Sequence, residues 1–174
     1  QAPLYPYLIA IILKLFGPGK EIVVWIQAGS SILSIYLIYL IGRRLFSSEI
    51  GLISAGISSF YGIFVFYSGF LLKASFSVLF TCLFLILFLS AFQKASPQKY
   101  FFSGVILGLC SILRGNFLVV FLGLICWIYF FIKDTRNKYR IMLSFILGFS
   151  LIIIPITVRN YYLEKDFVLI NYDA

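Results

Sequence analysis

Hydrophobic residues fall into long runs along the 174-residue chain, and short polar or charged connections separate these runs. A helix that crosses the hydrocarbon core of a bilayer needs about 20 predominantly apolar residues. Runs close to this length predict transmembrane helices. The fourth and fifth runs are short and need tilt, local thinning of the bilayer or a shared break at 114–116. The six predicted spans cover residues 22–41, 50–68, 74–92, 100–113, 117–132 and 141–158.

A shorter apolar run, from Leu4 to Phe16, precedes these spans. It starts beside two prolines, carries Lys14 and is too short to cross a membrane, so it predicts an interfacial or re-entrant helix. The whole pattern predicts an all-α, polytopic transmembrane helical bundle with about six spans and a short N-terminal interfacial helix. The chain is then a single domain, 1–174, in three parts: an external interfacial segment at 1–21, the spans at 22–158 and the start of an external region at 159–174.

The composition agrees with a membrane protein and argues against several other classes. Hydrophobic residues make up 62% of the chain and charged residues 11%, whereas soluble domains average about 45–50% and about 25%. The net charge of +8 is spread over short loops, which favours topology determinants over a nucleic-acid partner. The chain has no histidine, which excludes a histidine-based triad or a histidine-ligated metal within it. The three cysteines lie in apolar runs without CxxC spacing and predict packing residues, with no metal site.

Loop charges predict the orientation of the spans. The loops at 42–49, 93–99 and 133–140 hold eight basic and two acidic residues, and the opposite set holds six basic and four acidic residues. The more basic side of a membrane protein faces the cytoplasm. We therefore expect a multi-pass protein of the plasma (bacterial inner) membrane with both ends of the chain extracytoplasmic. Residue 1 is glutamine and no signal peptide is evident, so we expect an internal fragment of a longer protein.

Three basic residues, Lys73, Arg114 and Arg159, sit in connections that this orientation assigns to the external face. A cation at the edge of the hydrocarbon is costly unless it snorkels to the headgroups or meets an anion. Snorkelling of the side chain to the lipid headgroups is enough to explain any one of these three basic residues. Three on the less basic face favour a pocket for a phosphate presented at membrane depth, as in a polyprenyl-linked donor, because arginine binds phosphate oxygens bidentately. Pro155 is expected to kink the last span and direct Arg159 toward a cavity.

Carboxylates that could act as a general base are scarce. All six lie in polar loops, and no pair has a spacing that singles it out for acid–base chemistry. The residues alone therefore predict an anion site without an evident base. The six are Glu21, Glu49, Asp134, Glu164, Asp166 and Asp173.

Four stretches, in order along the chain, resemble the lipid-donor glycosyltransferases of the GT-C superfamily. The most similar group is glycosyltransferase family 39, the bacterial relatives of protein O-mannosyltransferases and of the aminoarabinose transferase. Each stretch alone is a weak signal, but the ordered set is fairly specific. The stretches are "APLYPYLIAIILKLFG" (2–17), "YLIGRRLFSSEIGLISAGISSFYGIFVFYSGFLLKAS" (39–75), "GVILGLCSILRGN" (104–116) and "IIIPITVRNYYLEKDFVLI" (152–170).

The resemblance implies an inverting enzyme that transfers a sugar from a polyprenyl-phosphate donor to an acceptor outside the plasma membrane. Its base would be an aspartate in the first external loop, which is expected upstream of Gln1 and so outside this chain. Tyr5 and Pro6 would end that loop, and the interfacial helix would line the active-site floor. Arg159 falls on the family's RN motif and Arg114 on its LtR motif. No cofactor is implied with certainty, and a divalent metal ion, the sugar, the acceptor and the oligomeric state stay open.

The chain departs from the family pattern at three positions. Ile156 stands where tryptophan is usual, Gly115 replaces a proline after Arg114, and Lys73 stands where many relatives have an acidic residue. The last change adds a positive charge that suits a phosphate site. Two alternatives remain open on sequence grounds. One is a transporter or flippase for a lipid-linked or anionic solute, because intramembrane cations also mark substrate pathways. The other is a purely structural membrane subunit.

Overall fold

The computed structural model describes residues 4–61, 73–132 and 135–164, and these residues form α-helices without any β-strand. The predicted all-α fold is confirmed. The helices in the described ranges are α1 (Leu4–Phe16), α2 (Lys20–Leu45), α3 (Ser48–Phe60), α4 (Ala74–Lys94), α5 (Pro97–Leu113), α6 (Phe117–Phe131) and α7 (Thr135–Glu164).

Three of the described helices, α2, α4 and α7, are long and apolar enough to cross a membrane by themselves. The chain is thus a multi-pass membrane protein. Helices α1 and α6 are apolar but shorter, with 13 and 15 residues, as their sequence predicts. The predicted span at 50–68 begins as α3, and its part beyond Tyr61 lies outside the described residues.

Two helices extend well beyond the predicted spans. Helix α2 continues through charged residues at both ends, because arginine and lysine are good helix formers and only the apolar part must lie in hydrocarbon. Helix α7 passes through Pro155 without interruption and reaches Glu164. The predicted external region at 159–174 therefore starts as helix, and residues 165–174 lie outside the described part of the chain.

The chain divides into two compact units, which we describe separately. The N-terminal unit is Tyr5–Ile86, and the C-terminal unit is Leu87–Ala174 together with Gln1–Leu4. The boundary falls within α4, so this helix contributes residues to both units.

In the C-terminal unit, α5 and α7 pack in parallel at very short range. A Cβ atom added to Gly104 would collide with the carbonyl of Phe145, and one added to Gly108 would lie 2.9 Å from the Cβ of Ile152. The residue numbers of the contacting positions increase together along α5 and α7, so the two helices are parallel. The GxxxG pattern of α5 is confirmed as a packing surface. On α7 the matching glycine is Gly148, where a Cβ would collide with the carbonyl oxygen of Phe101.

Aromatic side chains fill the rest of this unit. The rings of Phe121 and Phe149 stack with centroids 3.7 Å apart, which joins α6 to α7. The ring centroid of Phe88 in α4 lies 5.6 Å from that of Tyr100 and 6.2 Å from that of Phe145. Tyr100 and Phe145 have no exposed surface, so the unit has a tightly packed aromatic interior.

In the N-terminal unit, α2 and α3 form a close antiparallel pair. A Cβ on Gly51 would lie 2.7 Å from the carbonyl oxygen of Tyr39 and 2.9 Å from the backbone nitrogen of Arg43. The buried face of α2 contains Gln27 and two serines. The hydroxyl of each serine donates a hydrogen bond to a backbone carbonyl about one turn earlier in the helix. These buried serines are Ser30 and Ser34.

Candidate functional site

Arg114 marks the end of α5. It is the C-cap residue with an extended backbone (φ −146°, ψ 115°), and its N–H donates to the carbonyl of Cys110 at 2.9 Å. Gly115 and Asn116 then reverse the chain into α6. The side chain of Arg114 is exposed, so its guanidinium lies at the open end of the helix, whereas the preceding residue, Leu113, is fully buried.

Arg159 lies on the α5-facing side of α7. It follows Ile152, which packs against Gly108, by seven residues or about two helical turns, so the two residues share a face of α7. Arg159 is then about 10.5 Å beyond this contact along α7, and Arg114 is about 9 Å beyond it along α5. Because the helices are parallel, the two arginines reach the same level at the same end of the pair.

Two exposed cations at one level form a strongly positive end of the α5–α7 pair. The residue after Arg159, Asn160, is 8% exposed and brings a polar amide into the packed part of this end. This arrangement suits a phosphate at the depth of the lipid headgroups. Sequence motifs identified each arginine, and the parallel packing of α5 and α7 brings the two positions to a similar level along the helix pair.

Lys73 belongs to the N-terminal unit and precedes α4. Its side chain is exposed, and its carbonyl accepts hydrogen bonds from the backbone nitrogen and the hydroxyl of Ser77 at 3.0 and 2.9 Å. The predicted meeting of Lys73 with Arg114 and Arg159 stays a prediction, because the lysine and the arginines lie in different units.

Tyr5 contacts the first turn of α4 within the N-terminal unit. The amide of Gln27 donates to the Tyr5 hydroxyl at 3.4 Å, and the Tyr5 ring lies 6.3 Å from that of Phe76, three residues after Lys73. Burial raises the pKa of Tyr5, and the hydrogen bond with Gln27 acts in the opposite direction. The phenol is therefore protonated at neutral pH and can donate a hydrogen bond. Pro6, its predicted companion, is exposed on α1.

Gln27 is the polar residue that the sequence reading missed. It is fully buried in α2 and hydrogen-bonded to Tyr5. The available signal was a glutamine inside an otherwise apolar run, since polar residues within membrane helices are costly and often functional.

Acidic residues contribute little to the described site. Glu21 and Glu49 are exposed near helix ends. The described residues contain no group of three or more histidine, cysteine or acidic side chains placed to hold a metal ion. Asp134, Asp166 and Asp173 lie outside the described residues.

An apolar groove of about 440 Å³ lies between α6 and α7. Its α7 wall includes Thr157, and Arg159 is two residues or about 200° further around the helix. The groove thus opens on the side of α7 away from the arginine pair. It forms an apolar surface of the C-terminal unit and does not extend the phosphate site. Its walls are Phe121, Ile125, Ile146, Phe149, Ser150, Ile153, Ile154, Thr157 and Val158.

Comparison with known proteins identifies one family. A family model described as dolichyl-phosphate-mannose-protein mannosyltransferase matches residues 1–161. The matched region contains Tyr5, Pro6, Lys73, Arg114 and Arg159. No curated protein and no solved structure matches the chain.

Proposed function

Because this chain belongs to the dolichyl-phosphate-mannose-protein mannosyltransferase family, a group of membrane glycosyltransferases with lipid-linked donors, we propose that Arg114 and Arg159 bind the phosphate of a polyprenyl-phosphate sugar. The enzyme would transfer the sugar, with inversion, to an extracytoplasmic acceptor. The family favours this function over the transporter or flippase alternative.

One observation carries the proposal. The parallel packing of α5 and α7 aligns two arginines that are 45 residues apart in the chain. Each arginine directly follows a predicted span, and this supports a position near the lipid headgroups, where a lipid phosphate would be presented. Two guanidinium groups offer planar pairs of donors that match phosphate oxygens.

The arginine pair would act mainly on the leaving group. During transfer, a nucleophilic atom of the acceptor forms a bond to the anomeric carbon while the bond from that carbon to the phosphate oxygen breaks. The electron pair of the broken bond goes to the phosphate, which gains negative charge. Fixed cations that face this oxygen stabilise the transition state more than the ground state.

In the N-terminal unit, Tyr5 and Pro6 keep the floor role that the resemblance implies, and Lys73 keeps its proposed role in binding the donor phosphate. Tyr5 is protonated and hydrogen-bonded by Gln27, so its hydroxyl can hydrogen-bond a sugar or phosphate oxygen. The proton released by the acceptor requires a base, for which we retain the aspartate expected upstream of Gln1.

The test is sugar transfer by the full-length protein in lipid nanodiscs, with a polyprenyl-phosphate sugar as donor. We expect Arg114→Ala and Arg159→Ala each to lower kcat by about 10²–10³, the usual cost of removing one preorganised donor to a developing oxyanion. Arg140→Ala, at an exposed position near the other end of α7, is the matched control and should retain near-normal turnover.

The two arginine variants also separate binding from chemistry. A rise in KM with unchanged kcat would assign them to donor binding alone. If both variants keep normal turnover and donor affinity, the phosphate site is elsewhere and the proposal is wrong.

A further inference from the structure

A second basic pair lies in the N-terminal unit, at the last turn of α2. Arg43 and Arg44 are both exposed there. Together with Leu40 and with Ile86 of α4 they line a cleft of about 290 Å³. The cleft thus combines two cations with two aliphatic side chains, and none of the four residues belongs to the proposed donor site.

The position of the cleft along α2 sets its depth. The apolar run of the helix ends at Ile41, so Arg43 and Arg44 lie where hydrocarbon gives way to headgroups. A cation at this depth is stabilised by water or by an anion. The helix C-terminus also attracts cations, and this alone explains basic residues at the end of α2. It does not explain the cleft or its aliphatic walls.

The backbone at this end of α2 packs closely against α3. Gly51 of α3 approaches so closely that a Cβ there would lie 2.9 Å from the backbone nitrogen of Arg43. The Tyr39 hydroxyl interacts with Arg43 and with Ser48 of α3. The base of the Arg43 side chain is therefore positioned before any ligand arrives, which lowers the entropic cost of binding.

The cleft is remote from the floor of the proposed donor site. Arg43 follows Gln27 by 16 residues, which is about 24 Å along α2. A phosphate held near Tyr5 and Gln27 cannot contact Arg43 at the same time. An anion in the cleft is therefore not a phosphate group held at Tyr5.

We propose that this cleft binds the headgroup of an anionic phospholipid from the leaflet at the Arg43 end of α2, which the loop charges assign to the cytoplasm. Arg43 and Arg44 would bind the phosphate, and Leu40 and Ile86 would contact the first part of an acyl chain. Basic pockets between transmembrane helices on the cytoplasmic side are a known type of site for anionic headgroups. Arginine pairs suit the planar arrangement of phosphate oxygens.

The test is native mass spectrometry of the full-length protein in a nonionic detergent, titrated with phosphatidylglycerol or phosphatidylcholine. We expect tight binding of phosphatidylglycerol alone. Arg43→Gln and Arg44→Gln should each weaken it by about fivefold, as expected for one basic residue near a membrane surface. The double variant should lose the tight phosphatidylglycerol adduct, whereas Arg43→Lys should retain more affinity than Arg43→Gln because it keeps the charge.

Arg140→Gln is the matched control, since it removes one exposed charge from the same predicted face outside the cleft. It should bind phosphatidylglycerol within about twofold of the unmodified protein, because removal of one screened surface charge has little effect at a distance. The proposal is overturned if the double variant binds normally or if Arg140→Gln loses as much affinity. It is also overturned if phosphatidylcholine binds equally well, or if millimolar inorganic phosphate displaces the lipid. The lipid-binding measurement does not depend on sugar transfer. If the proposed glycosyltransferase function fails its own test, the result for lipid binding is unaffected.

Discussion

The two units bury different kinds of surface between their helices. In the C-terminal unit, α5 and α7 meet backbone to backbone at Gly104 and Gly148, and aromatic rings fill the remaining space. In the N-terminal unit, α2 and α3 also approach closely at Gly42 and Gly51, and the fully buried Gln27 of α2 adds a hydrogen bond to Tyr5 of α1. In lipid, where apolar contact gives little preference for a neighbouring helix, close packing and hydrogen bonds are the two available ways to associate. Among the described contacts, the C-terminal unit relies mainly on the first, and the N-terminal unit combines the first with the second.

This difference has a consequence for each candidate site. A backbone-to-backbone contact leaves little freedom of register between α5 and α7, and the proposed arginine pair depends on that register. The polar interior of the N-terminal unit instead holds one side chain, Tyr5, through a hydrogen bond. The three predictions below test this contrast, in order of decreasing effect on stability.

The largest effect is expected for Gly148→Ala. The added methyl group would collide with the carbonyl oxygen of Phe101, which belongs to a helix backbone and cannot rotate away. We expect the free energy of unfolding to fall by about 2–3 kcal/mol, the upper part of the usual range for overpacking. Denaturant titration of the full-length protein in detergent measures this change.

Gly123→Ala provides the control in the same unit, because nothing lies within 4 Å of a Cβ at that position of α6. It should be neutral or slightly stabilising, since alanine favours helix over glycine by about 1 kcal/mol. Equal stability of the two variants would show that α5 and α7 are not held by backbone contact.

A smaller effect is expected for Gly51→Ala in the N-terminal unit. A Cβ there meets the Tyr39 carbonyl oxygen at 2.7 Å, which is a tight but less severe contact. We expect a loss of about 1–2 kcal/mol in the same titration. Gly56→Ala, on the same helix with open space around it, should not lose stability. A loss at Gly56 as large as that at Gly51 would contradict the observed pairing of α2 with α3.

The smallest effect is expected for Tyr5→Phe. The change removes the hydroxyl that accepts the Gln27 hydrogen bond but keeps the ring beside Phe76. Hydrogen bonds between membrane helices contribute about 0.6 kcal/mol on average, so we expect a loss of that order. Tyr36→Phe, at an exposed position of α2, should change stability less. If the two variants are equally stable, the Tyr5–Gln27 bond does not hold α1 against α2.

Much of the helical organisation was predictable, because helix ends depend on local features. Glycine, proline and charge mark the breaks at Gly17 and at 114–116, and both breaks are present between described helices. Helices α2 and α7 continue beyond the predicted spans, because charged residues such as Arg43 and Arg159 can continue a helix after its apolar run has ended. Pro155 likewise interrupts a hydrogen bond without ending α7.

The candidate site was less accessible to sequence reasoning. Motifs pointed to Arg114 and Arg159 singly, and GxxxG pointed to one packing face. The packing role of Gly148 was not predicted, because a single glycine without GxxxG spacing gives no packing signal in the sequence. Gln27 was missed because its hydrogen bond joins helices that only the folded structure brings together.

The sequence by itself therefore determined that this is a helical membrane protein, where its helices break and which family it resembles. These properties follow from local hydrophobicity, breaker residues and ordered motifs. Only the tertiary structure decided that α5 pairs with α7 in parallel, that Gln27 hydrogen-bonds Tyr5 and that a basic pair at the end of α2 lines a cleft. The physical reason is that lipid and protein interior are both apolar, so the pattern of hydrophobic residues cannot show which face of a helix meets another helix.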